Sequence, residues 1–168
     1  MKTYIKPWIL VLIGVIITII AALINGFIIS ENNEIIESLE SETANIETNI
    51  DHLWNNNLSI ERKKDSAYIM ALQNPNSELV HNYIIDTLRL AGSDKILDDK
   101  KNTFNILVNE VNLYQNEIID RINNLYGEKI TKEEQINQIK KINSKFTHIA
   151  FFLQIIGLIL VLSKDLAG

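Results

Sequence analysis

Two uncharged apolar runs, one near each end of the chain, dominate its pattern of hydrophobic and polar positions. The first, 8–29, carries no charge over about 22 residues, or roughly 33 Å of helix, which is enough to cross a hydrocarbon core. The second, 146–163, has an uncharged core at 149–162 that is apolar on every face, whereas a helix packed in a soluble protein keeps a polar stripe. The pattern predicts two transmembrane helices, flanked by the short segments 1–7 and 164–168.

Each run has an alternative interpretation. A cleaved signal peptide has a shorter apolar region and ends in a small-x-small site, which the stretch 21–25 does not match well. The second run is near the short end for a membrane span, so a buried helix of a soluble protein is its alternative. The first run is longer than the apolar region of a signal peptide, and the second is apolar on every face. Both features favour membrane helices.

The polar middle of the chain, 30–145, predicts further helices at about 30–73, 76–91, 94–126 and 132–145. Pro75 ends the first, since the residue before proline avoids helical geometry, and Gly92 stops the second. Gly127 is another candidate stop, because Thr131 and Glu134 match a capping box. The apolar register nevertheless continues across Gly127, so we expect a kink there rather than a chain reversal.

Apolar residues in this middle segment recur seven apart, which is typical of a coiled-coil seam. If two long helices leave the same membrane face, they pair antiparallel, and apolar positions such as Ile50 and Leu125 come level with each other. The predicted seam comprises Ile36, Leu39, Ile46, Ile50, Leu53, Phe104, Val111, Ile118, Leu125, Ile136 and Ile139.

The fold class predicted is all-α, with two transmembrane helices flanking a long antiparallel helical-hairpin stalk that resembles a coiled coil and carries a short extra helix. The alternative is a membrane-anchored four-helix bundle, with breaks at 55–57, Pro75, Gly92 and Gly127. Its last helix, 132–145, would be too short to match the others, which favours the hairpin.

Small side chains recur within both predicted spans and let helices approach closely in lipid, where dispersion drives their association. Each span also holds one amide, which we expect to pair or to face a shared interface, because an unpaired amide in hydrocarbon is costly. The predicted helix-packing residues are Gly14, Thr18, Ala22, Gly26 and Asn25 in the first span and Ala150, Gln154 and Gly157 in the second.

The distribution of basic residues predicts the orientation. Lys2 and Lys6 precede the first span, and its other flank has no Lys or Arg until Arg62, so the positive-inside rule places both termini in the cytoplasm and the stalk outside. The lysines at 140–145 flank the second span on the stalk side and argue for the opposite orientation. The first span usually dominates, and these lysines have acidic partners opposite them.

Candidate chemistry is sparse. A net charge of −5 argues against nucleic acid as a partner, and the absence of cysteine excludes disulfides and thiolate metal sites. Glu78 and His81 have the spacing of a di-iron ligand pair, but such a site needs a second copy of the motif. His52 and His148 are isolated. We therefore expect no enzyme activity, no cofactor and no bound metal.

The layout of span, helical segment and span resembles the sensor half of bacterial chemoreceptors and sensor kinases, although no motif is shared and no output domain follows the second span. The resemblance implies signalling through a partner. Two functions remain open: a non-enzymatic membrane protein that assembles with itself or with a partner membrane protein, and an oligomeric pore-forming or membrane-perturbing effector. The abundance of Asn, Ile and Lys indicates a bacterial or archaeal source.

Overall fold

The computed structural model describes residues 6–74, 76–93 and 103–166, and these residues are helical apart from short connections. No strand occurs among them, so the all-α fold class predicted from the sequence is confirmed for this part of the chain. Pro75 and the predicted helix start at 94–102 lie outside the described residues. The elements are α1 (Pro7–Leu23), a π-helical segment (Ile24–Ile29), α2 (Ser30–Gln73), α3 (Glu78–Leu90) and α4 (Thr103–Leu166).

Local sequence explains where α3 begins and ends. The Ser77 side chain caps the start by accepting a hydrogen bond from the Leu79 amide at 3.3 Å. At the end, Gly92 adopts a φ of 71°, and the Ser93 amide donates to the Leu88 carbonyl at 3.0 Å. This is a Schellman ending, which glycine favours because it has no Cβ to hinder the left-handed conformation.

The two long helices pass through two of the four positions at which the four-helix bundle would break. α2 continues across 55–57, and α4 continues across Gly127 and Thr131. A glycine inside a helix costs only about 1 kcal/mol relative to alanine. The buried Ile122 and Ile136 on either side of Gly127 continue one face of the helix, and this packing outweighs the local stop signals.

The chain divides into two compact units, which are described separately. The central unit, Ala44–Ile130, has two clusters of buried apolar side chains. The first joins all three of its helices, and the second joins α2 to α4 alone. Their buried members are Ile60, Ala67, Val80, Ile84, Leu88, Leu107 and Val111 in the first cluster and Ile46, Ile50, Ile118 and Ile122 in the second.

The terminal unit comprises Met1–Thr43 and Thr131–Gly168 and contains the most apolar helical stretches. Two helical stretches, within Trp8–Gln73 and Thr103–Ser163, are long and apolar enough to cross a membrane. Only 11% of the most apolar window in each is buried. Their apolar side chains therefore point outward, unlike those of a core helix in a soluble protein.

Candidate functional site

A close contact between helices in the terminal unit joins the backbones of α1 and α4. A Cβ placed on Gly14 would lie 2.7 Å from the Gly157 carbonyl oxygen. A Cβ placed on Gly157 would lie 2.8 Å from the Gly14 carbonyl oxygen and would also clash with Thr18 Oγ1. Real Cβ atoms do not come so near, so this packing requires glycine at both positions. It brings together Gly14, Thr18 and Gly157 of the predicted helix-packing residues.

The remaining small residues divide between buried and exposed positions. Ala150 is 1% exposed, and Ala21, which the sequence analysis did not single out, is fully buried. Ala22 is exposed, and a Cβ added to Gly26 would meet nothing within 4 Å. Buried small residues are thus seven apart in both helices. Residues four apart in an α-helix are separated by about 400°, which is about 40° more than a full turn. A ridge of small residues at every fourth position therefore rotates gradually away from a neighbouring helix.

The π segment changes the register between the two parts of the first long helix. Before it, Gly14 and Ala21 are buried seven residues apart; after it, Ile36 is buried and its neighbour Ile35 is 43% exposed. The step from Ala21 to Ile36 is one residue longer than two heptads. A π turn accommodates one extra residue without ending the helix. The π segment therefore aligns the small-residue face of α1 with the apolar face of α2.

An amide cluster lies where α2 meets α4 in the terminal unit. Asn143 is 8% exposed, and its Nδ2 donates to Asn33 Oδ1 at 2.9 Å. Its Oδ1 accepts a hydrogen bond from Asn32 Nδ2 at 2.7 Å. None of these three asparagines was among the predicted helix-packing residues, although Asn143 stands seven residues from both Ile136 and Ala150, which are buried on the same face. That spacing is the signal that would have found it.

The two amides that the sequence analysis singled out in the spans have a different setting. Asn25 lies in the π segment and is exposed, and Gln154 of α4 is exposed as well. Neither is covered by the packing of the terminal unit, whereas the amides of the Asn143 cluster bond across helices.

Ion pairs join the acidic face of α2 to lysines of α4. In the terminal unit, Lys140 Nζ lies 2.7 Å from Glu40 Oε1, and Lys132 pairs with Glu42. In the central unit, Lys129 Nζ lies 3.3 Å from Glu47 Oε1. These acidic side chains are at least half exposed, so each pair contributes little to stability and serves mainly to favour one register of the two helices.

The predicted seam residues lie on the inward faces of α2 and α4 in each unit. Leu39, Leu53, Phe104, Leu125 and Ile139 are half-buried. The fully buried ones are Ile36 and Ile136 in the terminal unit and Ile46, Ile50, Val111 and Ile118 in the central unit. Leu107 and Ile122, which are equally buried, complete this face and were not part of the predicted seam.

Candidate metal-ligating side chains are scattered along the described helices. Within 6–74, 76–93 and 103–166, no group of three His, Cys, Asp or Glu side chains could hold a metal ion. His52 lines an open cleft of about 430 Å³ in the central unit, together with Arg121 and two leucines of the seam. Comparison of the chain with protein-family models, with curated proteins and with solved structures found no match.

Proposed function

We propose that this protein is a non-enzymatic integral membrane protein whose function is assembly or sensing, through self-association or a partner membrane protein. In this proposal α1 and the C-terminal part of α4 cross the membrane side by side. The rest of α2 and α4 forms an antiparallel, coiled-coil-like hairpin stalk, with α3 packed against it. Both termini face the cytoplasm, and the stalk lies outside the cell.

One observation carries the proposal: most apolar side chains in the apolar helices of the terminal unit are about half exposed or more. Leu12, Phe151 and Leu158 are each more than half exposed. Contiguous apolar surface of this extent marks an interaction with a membrane or another protein. Lipid covers such a surface without further protein contacts, and the helical backbone satisfies its own hydrogen bonds there.

The order of contacts within each unit supports an antiparallel hairpin. In the terminal unit, Asn32 contacts Asn143, whereas the later Glu42 contacts the earlier Lys132. In the central unit, Glu47 pairs with Lys129, and the rings of Tyr68 and Phe104 lie 5.3 Å apart. Within each unit, therefore, advancing along α2 means moving back along α4.

Self-association is supported by the exposed part of the small-residue ridge. Ala22 and Gly26 leave a shallow surface on which another helix backbone could approach closely, and Asn25 is exposed beside them. An asparagine amide both donates and accepts, so it can pair with the same residue of a second copy across a two-fold axis. Such pairing would satisfy an amide that is otherwise uncovered in hydrocarbon.

Oligomeric state in phospholipid nanodiscs or mild detergent tests self-association. We expect wild-type protein to form a discrete oligomer, and Gly26→Leu to shift it towards monomer because the new side chain occupies the approach surface. Ile20→Phe is the matched control, since Ile20 is exposed on another face of the same helix. A monomeric wild type, or equal effects of the two variants, would leave a partner membrane protein as the only assembly route.

Cysteine labelling tests the orientation, because the chain has no native cysteine. Gln73→Cys lies at the exposed end of α2, and Thr3→Cys lies in the N-terminal segment. With a membrane-impermeant maleimide on intact cells, we expect Gln73→Cys to label and Thr3→Cys to label only after lysis. The reverse result would place the stalk in the cytoplasm.

The pore-forming alternative makes a different prediction. A water-filled pore needs polar residues along a span, and the spans offer mainly Thr18, Asn25 and Gln154. Thr18 Oγ1 already donates to the Gly14 carbonyl at 2.9 Å. We expect liposomes containing the protein to retain a trapped dye; rapid leakage would favour the pore instead.

A further inference from the structure

A polar cleft opens on the surface of the central unit between α2 and α3. Its volume is about 270 Å³, and Tyr83 of α3 forms one wall. The other lining residues are spaced three or four apart on α2 or are direct neighbours, so they share one face of that helix. They are Asn55, Leu58, Ser59, Arg62, Lys63 and Ser66.

The charge of this cleft is opposite to that of the chain. Arg62 and Lys63 are the only charged side chains among its lining residues. The adjacent Glu61 and Asp65 do not line it, and the chain as a whole has a net charge of −5. Two neighbouring cations without a carboxylate between them repel each other, so an anion bound there is stabilised by both.

Contacts with the surrounding structure hold Lys63 and one wall of the cleft in place. Lys63 Nζ lies 5.9 Å from the centroid of the Tyr83 ring, in a cation–π contact. Tyr83 itself packs against the first core cluster of the central unit. Ser66 Oγ donates to the Arg62 main-chain carbonyl at 2.8 Å, a hydrogen bond within α2. The Tyr83 wall is thus fixed by the core, which reduces the ordering that a ligand must impose.

We infer that this cleft binds a small phosphate-bearing anion. The Arg62 guanidinium can donate to two oxygens at once, and the Lys63 ammonium adds a compact positive charge. The Ser59 hydroxyl and the Asn55 amide supply further donors. A phosphate group has enough acceptor oxygens for all of these groups, whereas a carboxylate has only two oxygens. The small volume favours a free phosphomonoester or a single lipid headgroup over a larger molecule.

Direct binding measurements on the full chain test this inference independently of the proposed assembly. Inorganic phosphate and glycerol 3-phosphate are titrated by calorimetry into protein held in phosphatidylcholine nanodiscs at constant ionic strength. A parallel arm compares the thermal stability of the protein in nanodiscs with and without phosphatidic acid. The test variant is Arg62→Gln combined with Lys63→Gln, and Ser59→Ala removes a single donor. Lys64→Gln is the matched control, because Lys64 is a neighbouring cation that does not line the cleft.

We expect the double variant to weaken binding by about tenfold or more, Ser59→Ala to weaken it less, and Lys64→Gln to change it by less than about twofold. Circular dichroism of each variant checks that the helices are retained. If only phosphatidic acid stabilises the wild type, and the double variant loses that effect, the site stands with a lipid headgroup as its ligand. That outcome would contradict the proposed stalk, in which the cleft lies about 40 Å along α2 from the membrane. Binding in neither arm, or equal loss in Lys64→Gln, would overturn the inference.

Discussion

Gly14 of α1 and Gly157 of α4 meet backbone to backbone: a Cβ on Gly14 would lie 2.7 Å from the Gly157 carbonyl oxygen. Close approach of this kind maximises dispersion between two helices where no hydrophobic effect drives them together. Only glycine fits at this contact in either helix. The contact therefore determines which face of α1 packs against α4.

Adding a methyl group at this contact should destabilise the terminal unit. Gly14→Ala and Gly157→Ala each force the two backbones apart or distort a helix, and such overpacking costs about 1–3 kcal/mol. Thermal unfolding in detergent, followed by circular dichroism, measures the loss. Gly127→Ala is the control, since a Cβ at that position meets nothing within 4 Å. Equal melting temperatures for Gly14→Ala and Gly127→Ala would contradict the contact.

Deleting one residue from the π segment should be tolerated. Removing Phe27, which is 68% exposed, converts the π turn to a regular α-helix and keeps Gly14, Ala21 and Ile36 on one face. Deleting Ser41 from the regular part of α2 instead rotates the following residues by about 100° relative to those before it, so it should be strongly destabilising. Comparing the melting temperatures of the two deletions checks the prediction. A Phe27 deletion as damaging as the Ser41 deletion would show that the π segment does not act as a register shift.

Asn143 should contribute more to stability than other asparagines of α4. Asn143→Ala removes the two cross-helix hydrogen bonds to Asn32 and Asn33, each of which typically contributes about 0.5–1.5 kcal/mol. Asn137→Ala, at an exposed position of the same helix, should change stability by less than about 0.5 kcal/mol. Combining Asn143→Ala with Asn33→Ala should cost less than the sum of the single changes, because both remove the same hydrogen bond. Additive losses would argue against the cluster.

The ion pair between Glu40 and Lys140 should matter for register rather than for total stability. Glu40→Gln should cost less than about 1 kcal/mol, because both side chains are half exposed. Glu40→Lys should destabilise the protein further at low salt, and adding Lys140→Glu should restore the loss. High salt screens these charges, so it should reduce the stability differences between the wild type and each of the three variants. If the double reversal does not recover the stability of Glu40→Lys, the pair is not formed in solution.

The sequence alone determined the helical character of the chain and the positions of its apolar stretches. Pro75 and Gly92 predict the breaks because their backbone restrictions are local, and α2 ends at Gln73 while Gly92 follows α3. Within each long helix the buried apolar residues recur at heptad spacing, because each helix buries one face; Ile50 in α2 and Ile118 in α4 are examples. These features depend on neighbours along the chain, so a single sequence is enough to read them.

Only the tertiary structure decided which faces meet. Gly14 packs tightly and Gly26 does not, although both belong to one ridge in sequence, because small angular offsets accumulate along a helix. The π segment leaves no distinct local signature, since its single extra residue is stabilised by packing on either side. Heptad spacing from Ile136 marks Asn143 as inward-facing, but only the packing of α2 shows that Asn32 and Asn33 are its partners. Contacts between distant parts of the chain depend on how angular offsets add up along each helix, and local sequence patterns do not specify that sum.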